Sequence, residues 1–318
     1  MMKRKDCISL IDWSCNEIQE VMVMTKYLKE KQKAYKKYHP LSGKTLGMIF
    51  EKKSTRTRVS FEVGMYQLGG YALYLNAQDT QIGRGETISD TARTLSRFLD
   101  GIVIRTYAHS NVIELAKHAD IPVINGLSDL VHPCQVLSDL YTMIERFKIN
   151  PKKDNKKFFN NLKIAYIGDG NNVSNSLVIL AGKCGINLAV ATPAGYGPNT
   201  DIVGNASKEA VQHGGSVIIT NDPITAVKDA DVVYTDVWVS MGKEGGQSDK
   251  KSIFLPFQIN SKLISNAKKN CAVMHCLPAH RGEEITDDVM DGSQSIVFDQ
   301  AENRLHVQKA IMTKLMGR

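Results

Sequence analysis

An alternation of short apolar runs with longer amphipathic segments constrains this chain most. The runs fall at 45–50, 71–75, 101–104, 121–124, 163–167, 187–191, 216–219, 231–234, 271–274 and 295–298, and most are separated by segments of helical length. Such runs suit strands buried on both faces, and a helix between strands supplies the crossover that parallel pairing needs. The expected fold class is α/β. At 318 residues the chain is too long for most single cores, so two doubly wound parallel-sheet domains are expected. The Lys- and Asn-rich stretch from Asn150 to Asn161 divides the runs four and six and marks the boundary, giving domains of residues 1–149 and 150–302. Near the start, Ser14-x-x-Glu17 is a capping-box signature followed by Ile18, Val21, Met22 and Leu28, so a helix is expected from 14 to about 37.

The polar clusters fall where these runs end. Ser54-Thr55-Arg56-Thr57-Arg58 follows the first run, and Arg105 follows Gly101-Ile102-Val103-Ile104. His132-Pro133-Cys134-Gln135 follows the fourth run, Asp169-Gly170-Asn171-Asn172 the fifth, Asp236 the eighth, and His275-Cys276-Leu277-Pro278 the ninth. Ligands of open α/β sheets bind outside the carboxyl ends of strands. If both halves are such sheets, all six clusters can face one cleft between the domains.

At a strand-to-helix junction the first backbone N–H groups lack intrahelical partners, and the helix dipole favours an anion. Arg adds planar, bidentate donors for phosphate oxygens. Residues 54–58 therefore read as a phosphate pocket; the competing reading is a Ser N-cap followed by a solvated basic turn. Arg105 is a second anchor or a surface ion-pair partner. Gln135 can donate to and accept from a small planar group, while His132 alone would be a turn or core histidine. Gly168-Asp169-Gly170-Asn171-Asn172 starts like a dinucleotide fingerprint, but Val173 stands where the third glycine belongs. Asp236 opens a Gly-rich stretch through Ser240-Met241-Gly242 to Gly245-Gly246, which reads as a lid or a long surface loop. Cys276 matters chemically only where its surroundings perturb the thiol. No pair among His132, Cys134, His275, Cys276 and His280 has zinc-finger or zincin spacing, so no metal is expected.

Composition bounds the partners. Forty basic residues against 33 acidic ones give +7. The lysine runs at 29–37 and 152–157 lack aromatic interleaving, so no nucleic-acid partner is expected, whereas a mild positive balance suits small anionic substrates. The six cysteines are scattered without a C-x-x-C pair, which points to a reducing cytoplasm. No signal peptide or apolar stretch of about 18 residues is evident, so no membrane association is expected.

Together these residues resemble the aspartate/ornithine carbamoyltransferase family, on its ornithine branch. The resemblance is carried by Phe50-Glu51-Lys52-Lys53-Ser54-Thr55-Arg56-Thr57-Arg58, His132-Pro133-Cys134-Gln135, Asp236-Val237-Trp238-Val239-Ser240-Met241-Gly242 and His275-Cys276-Leu277-Pro278-Ala279-His280-Arg281-Gly282. These occur in the family's order over nearly the whole chain. The Ser-Met-Gly and His-Cys-Leu-Pro motifs belong to the ornithine branch. So does Gln81, where aspartate enzymes would be expected to carry lysine.

The resemblance implies a carbamoyl-phosphate domain, then an ornithine domain, with a final helix at about 303–318 packing back on the first. It implies a homotrimer with shared active sites and no metal or organic cofactor. Ser54, Thr55, Arg56, Thr57 and Arg105 would hold phosphate, with Gln81 reaching in from a neighbouring subunit. His132, Gln135, Arg304 and the backbone around Cys276-Leu277 would bind the carbamoyl group. Asn172, Asp236, Ser240 and Met241 would hold ornithine. Arg105, His132, Asp236 and Cys276 would be the catalytic set, and either the leaving phosphate or Cys276 could accept the amine proton. The alternatives are a carbamoyltransferase for putrescine, which needs no groups to hold an α-carboxylate, and a nicotinamide-dependent dehydrogenase, which the missing glycine disfavours.

Overall fold

Val-, Ile- and Leu-rich runs bounded by glycines and polar turns form nine parallel strands in the computed structural model, which describes residues 6–79, 85–153, 156–238 and 247–317. The chain runs α1 (Cys15–Lys33), β1 (Thr45–Phe50), α2 (Thr55–Gln67), β2 (Tyr71–Asn76), α3 (Ile88–Leu95), β3 (Gly101–Arg105), α4 (His109–His118), β4 (Val123–Leu127) and α5 (Pro133–Arg146). It continues through α6 (Lys156–Asn161), β5 (Lys163–Ile167), α7 (Asn172–Cys184), β6 (Asn187–Ala191), α8 (Thr200–His213), β7 (Ser216–Thr220), α9 (Pro223–Val227) and β8 (Val232–Thr235). The remaining elements are α10 (Gln247–Phe254), α11 (Ser261–Ile264), β9 (Ala272–His275), α12 (Asp287–Met290) and α13 (Val297–Met316).

The chain divides into two units. The first holds the residues up to Met143 and those from Glu302 on; the second is Ile144–Ala301. Sheet order is β2-β1-β3-β4 in the first unit and β7-β6-β5-β8-β9 in the second, with every pair parallel. Ile49, Ile102, Ile104, Leu115 and Val123 centre a core cluster in the first unit, and Ile167, Val233, Val273 and Ile285 one in the second.

Two expectations need correction. The run at 295–298 is not a strand: Ser295 makes only an isolated bridge to Val273, and Val297-Phe298 open α13. In the first turn of α13 Val297 is buried while Phe298 is exposed. Consequently the last helix begins at Val297 rather than near Asn303. Helix α1 has the expected capping box, the Ser14 side chain accepting the Glu17 N–H while Glu17 accepts the Ser14 N–H. It ends at Lys33 instead of running to 37, because Tyr35 takes a left-handed φ of 53°.

Helix α13 carries a buried polar seam in the first unit. Lys29 Nζ donates to Asn303 Oδ1 at 2.7 Å, and Asn303 Nδ2 donates to Thr142 Oγ1 at 3.0 Å. One turn on, His306 lies 3.1 Å from Glu302. Burial, with the Lys29 and Lys309 ammonium groups, pushes His306 down to about 4 against the pull of Glu302. The unfolded chain protonates this histidine below about 6.5, the folded one only below about 4. Between those values the unfolded state binds more protons, so stability is lost as pH falls. From pH 6.5 to 5 the loss should be about 2 kcal/mol. Urea unfolding at both pH values should show wild type losing that much more than His306→Gln; equal losses would remove His306 as the cause.

Candidate active site

In the first unit, β1 and β3 lie side by side with Phe50 opposite Arg105. The chain leaves β2-β1 in one direction and β3-β4 in the other, so Ser54 and Arg105 flank the topological switch point. Ser54 is the N-cap of α2, at φ −164° and ψ 114°, and its Oγ accepts the Thr57 N–H at 3.2 Å. The N-cap is thus present, and it shapes the turn whose other N–H groups lack intrahelical acceptors. Thr57 is fully buried, and its Oγ1 accepts from Arg304 Nη2 at 2.7 Å. This brings a guanidinium from α13 to the α2 N-terminus. A Cβ on Gly126 would sit 3.0 Å from Val103 and 3.3 Å from the Ile104 carbonyl oxygen, so glycine lets β4 lie close against β3 here. Arg58, by contrast, pairs with Glu62 at 3.0 Å and stacks 3.8 Å over the Tyr74 ring, which turns it to another task.

Arg105 is buried, and its strand end is fastened by Glu51. The Glu51 N–H donates to the Arg105 carbonyl oxygen at 2.9 Å, while its carboxylate accepts from Thr106 Oγ1 at 2.5 Å and from the Tyr107 N–H at 3.3 Å. His132 immediately precedes α5 and is buried. Burial, then the positive charges of Arg304 and Arg105, holds its imidazole well below the usual histidine range. It is thus a neutral imidazole in a cationic setting. Gln135, in the first turn of α5, donates through Nε2 to the buried Asp139 carboxylate at 2.8 Å. That bond uses the amide's donor side and leaves Gln135 Oε1 as its accepting side. Thr55 is exposed and Arg56 half-buried in the first turn of α2.

The second unit repeats the arrangement. Its sheet reverses between β5 and β8, and Asn171 and Asp236 follow those two strands. Asp236 is buried, and its carboxylate accepts three hydrogen bonds. Oδ2 accepts from Asn171 Nδ2 at 2.7 Å, while Oδ1 accepts from Cys276 Sγ at 2.8 Å and from the Val237 N–H at 2.8 Å. A thiol donating to a carboxylate keeps its proton, so Cys276 is a thiol here rather than a thiolate. Asn171 is also the N-cap of α7, its Oδ1 accepting from the Val173 and Ser174 N–H groups. The chain's own amide thus fills the helix N-terminus that a dinucleotide pyrophosphate would need. The two glycines of that stretch serve the backbone: Gly168 has φ 142°, and a Cβ on Gly170 would lie 2.1 Å from Gly197. Asn172 opens α7 half-buried, and Leu277, half-buried with φ 58°, packs on the core cluster.

Gln81, Ser240 and Met241 lie outside the described residues. Sequence reasoning passed over Asp139 and Asn171. Asp139 has a local signal, four residues after Gln135 on one helix face; Asn171 is marked in the sequence only as one of the polar cluster after the fifth run. Asp236, His275 and Cys276 also group their ligand atoms within 4.8 Å, as do His280, Glu283 and Glu284. In the first group both ring nitrogens of His275 are already engaged, Nδ1 with the Leu277 N–H and Nε2 with Glu284.

Comparison with known proteins bears on this geometry. The family model for the aspartate/ornithine carbamoyltransferase carbamoyl-P binding domain matches residues 5–145, and that for the Asp/Orn binding domain matches 160–315. The ornithine carbamoyltransferase of Thermococcus kodakarensis is 53% identical over 98% of this chain and 96% of its own length. The solved ornithine carbamoyltransferase of Pyrococcus furiosus has a TM-score of 0.92 at 52% identity, covering 98% of this chain and 97% of that one. The anabolic ornithine carbamoyltransferase structure from Campylobacter jejuni has a TM-score of 0.89 at 39% identity, with 98% of each chain covered. A phosphate-type turn at one switch point and an acid beside a thiol at the other are thus found in a chain that belongs to the aspartate/ornithine carbamoyltransferase family, on its ornithine carbamoyltransferase branch.

Proposed function

We propose that this enzyme transfers the carbamoyl group of carbamoyl phosphate to the δ-amine of L-ornithine, giving L-citrulline and phosphate. The observation that carries the choice of acceptor is Asp236, a buried carboxylate held by Asn171, Cys276 and the Val237 N–H. A buried anion of this kind suits the ammonium that ornithine keeps on Cα while its δ-amine attacks, and an aspartate acceptor would have no second amine for it. Asn172, Ser240 and Met241 complete the ornithine contacts. In the first unit, Ser54, Thr55, Arg56, Thr57 and Arg105 bind the phosphate, and His132, Gln135 and Arg304 bind the carbamoyl group. Cys276 and the Leu277 backbone take part in the transfer.

Chemistry follows from the charges. The δ-amine must be neutral to attack the carbamoyl carbon. As the carbonyl oxygen gains charge, donors from Arg105, Thr57 and neutral His132 stabilise it. Gln135 Oε1, fixed by Asp139, accepts from the carbamoyl NH₂. The guanidinium groups stabilise departing phosphate, and carbamoyl phosphate is already activated, so much of the gain is positioning. The anabolic naming of the Campylobacter jejuni protein supports a role in arginine biosynthesis. The six cysteines, scattered without a C-x-x-C pair, support a cytoplasmic reading, and no helix among the described residues is long and apolar enough to cross a membrane.

A homotrimer is supported by exposed apolar groups on the first unit. Val59, Val63 and Tyr66 lie along α2 at 50%, 37% and 80% exposure, and Tyr71 and Leu73 lie on edge strand β2, against which α2 packs. Such a stripe beside an open sheet edge suits cover by a second copy.

The direct test offers ornithine, putrescine, aspartate and N-acetylornithine side by side with carbamoyl phosphate; citrulline formation should dominate, and preference for another amine would reassign the enzyme. Asp236→Asn removes a charge-assisted bond worth about 1.5–3 kcal/mol, so kcat/KM for ornithine should fall by roughly ten- to hundred-fold. Putrescine, which keeps an ammonium at the same spacing and lacks only the α-carboxylate, should lose a similar factor; an unchanged kcat/KM for ornithine would show that Asp236 does not hold the α-ammonium. For shared sites, Gln81→Ala and Arg105→Ala should each be nearly inactive, and mixed oligomers should regain activity. No recovery after confirmed subunit exchange would place Gln81 in its own subunit's site.

A further inference from the structure

The His-Cys-Leu-Pro segment is held from behind by a residue outside the motif. His275 ends β9 and is fully buried. Its Nδ1 lies 2.9 Å from the Leu277 nitrogen and accepts that N–H. A nitrogen that accepts carries no proton, so in the neutral ring the proton sits on Nε2. Nε2 then donates to Glu284 Oε1 at 3.0 Å, and Glu284 is fully buried too. The same oxygen accepts the His280 N–H at 2.6 Å. Glu284 is itself fixed, its carbonyl oxygen accepting the Ile259 N–H at 2.9 Å.

The segment so held is an unusual one. Leu277 has φ 58°, a left-handed conformation that a branched side chain adopts only where surrounding bonds impose it. The His275–Leu277 bond spans that turn. Cys276 lies inside it, and its thiol reaches Asp236 Oδ1 at 2.8 Å. On the other side, the His275 N–H donates to Gln300 Oε1 at 2.9 Å. The thiol's aim therefore depends on the imidazole's orientation, and that orientation depends on Glu284.

We propose that Glu284 is a positioning residue for carbamoyl transfer, fixing the His275 tautomer and thereby the Cys276-Leu277 turn. The proposal rests on the functional reading above, but two of its readouts need no substrate. Glu284→Leu removes the acceptor and should lower kcat about ten- to hundred-fold, the scale of a small misplacement of reacting groups. The KM for ornithine should change less, because Asp236 keeps Asn171 and the Val237 N–H. In a Cys15→Ser background, where Cys276 is the only cysteine that is not buried, alkylation of Cys276 by iodoacetamide should quicken several-fold in Glu284→Leu. Glu284→Gln keeps an accepting oxygen and should restore both values to near wild type. A folded Glu284→Leu with wild-type kcat and alkylation rate would overturn the proposal, as would a folded Glu284→Gln as impaired as the leucine variant. Should Glu284→Leu fail to fold, ring ¹⁵N shifts of His275 in the wild-type protein decide: the Nε2–H form supports the proposal and the Nδ1–H form refutes it. Absence of citrulline formation by wild type would instead defeat the functional reading while leaving the tautomer and thiol results to stand.

Discussion

Reversal of strand order is the constraint on which the rest depends. In a parallel sheet built by right-handed crossovers, a reversal sends successive helices to opposite faces and opens a crevice at the strands' carboxyl ends. The first sheet reverses between β1 and β3, and the second between β5 and β8. Ser54, Asn171 and Asp236 follow β1, β5 and β8, and Arg105 ends β3. Each unit thus gathers its chemistry from segments distant in sequence, and strand register does the gathering: Phe50 opposite Arg105, and Tyr166 opposite Tyr234.

The two sites take opposite electrostatic characters from their neighbours. In the first, Arg105 and Arg304 stand near His132, and their charges add to burial in keeping the imidazole neutral. Excess positive charge suits a dianionic ligand, while a neutral ring can still donate one hydrogen bond. In the second, Asp236 is surrounded by donors, and burial together with the negative charges of Asp236 and Asp169 pushes the Tyr166 hydroxyl well above the usual tyrosine range. Tyr166 consequently stays a neutral phenol, donating to the Asp169 carbonyl oxygen at 3.0 Å and to Asn171 Oδ1 at 3.4 Å. That supports the asparagine which in turn holds Asp236.

Legibility in the sequence followed the range of the interaction. Strand runs and the Ser14 box are local patterns, and so is the helix-start character of Ser54. They could be read directly. Val59, Val63 and Tyr66 were recognisable as a helical stripe, but only the fold shows that Phe61, Met65 and Leu68 form the core-facing one. Arg58 had a local partner in Glu62, four residues on along α2, but Tyr74 becomes its second partner only once α2 lies on β2. The run at 295–298 misled because a short apolar run serves a helix start as well as a strand. Glu284 carried no signal, since nothing in Arg281-Gly282-Glu283-Glu284 shows which acid turns inward to His275.

Arg304 shows how a distant residue can be held at a site as firmly as a local one. It lies 247 residues from Thr57, yet donates to its hydroxyl. The preceding residue, Asn303, is clasped between Lys29 and Thr142, all three buried. Burying the Lys29 ammonium is costly unless its donors are satisfied, so a sliding of α13 by even one residue would leave a charge unpaired. That penalty falls on every wrong register and spares the right one. The buried seam therefore adds little to stability for its size, and its effect is to select the single register of α13 in which the Arg304 guanidinium meets the α2 N-terminus.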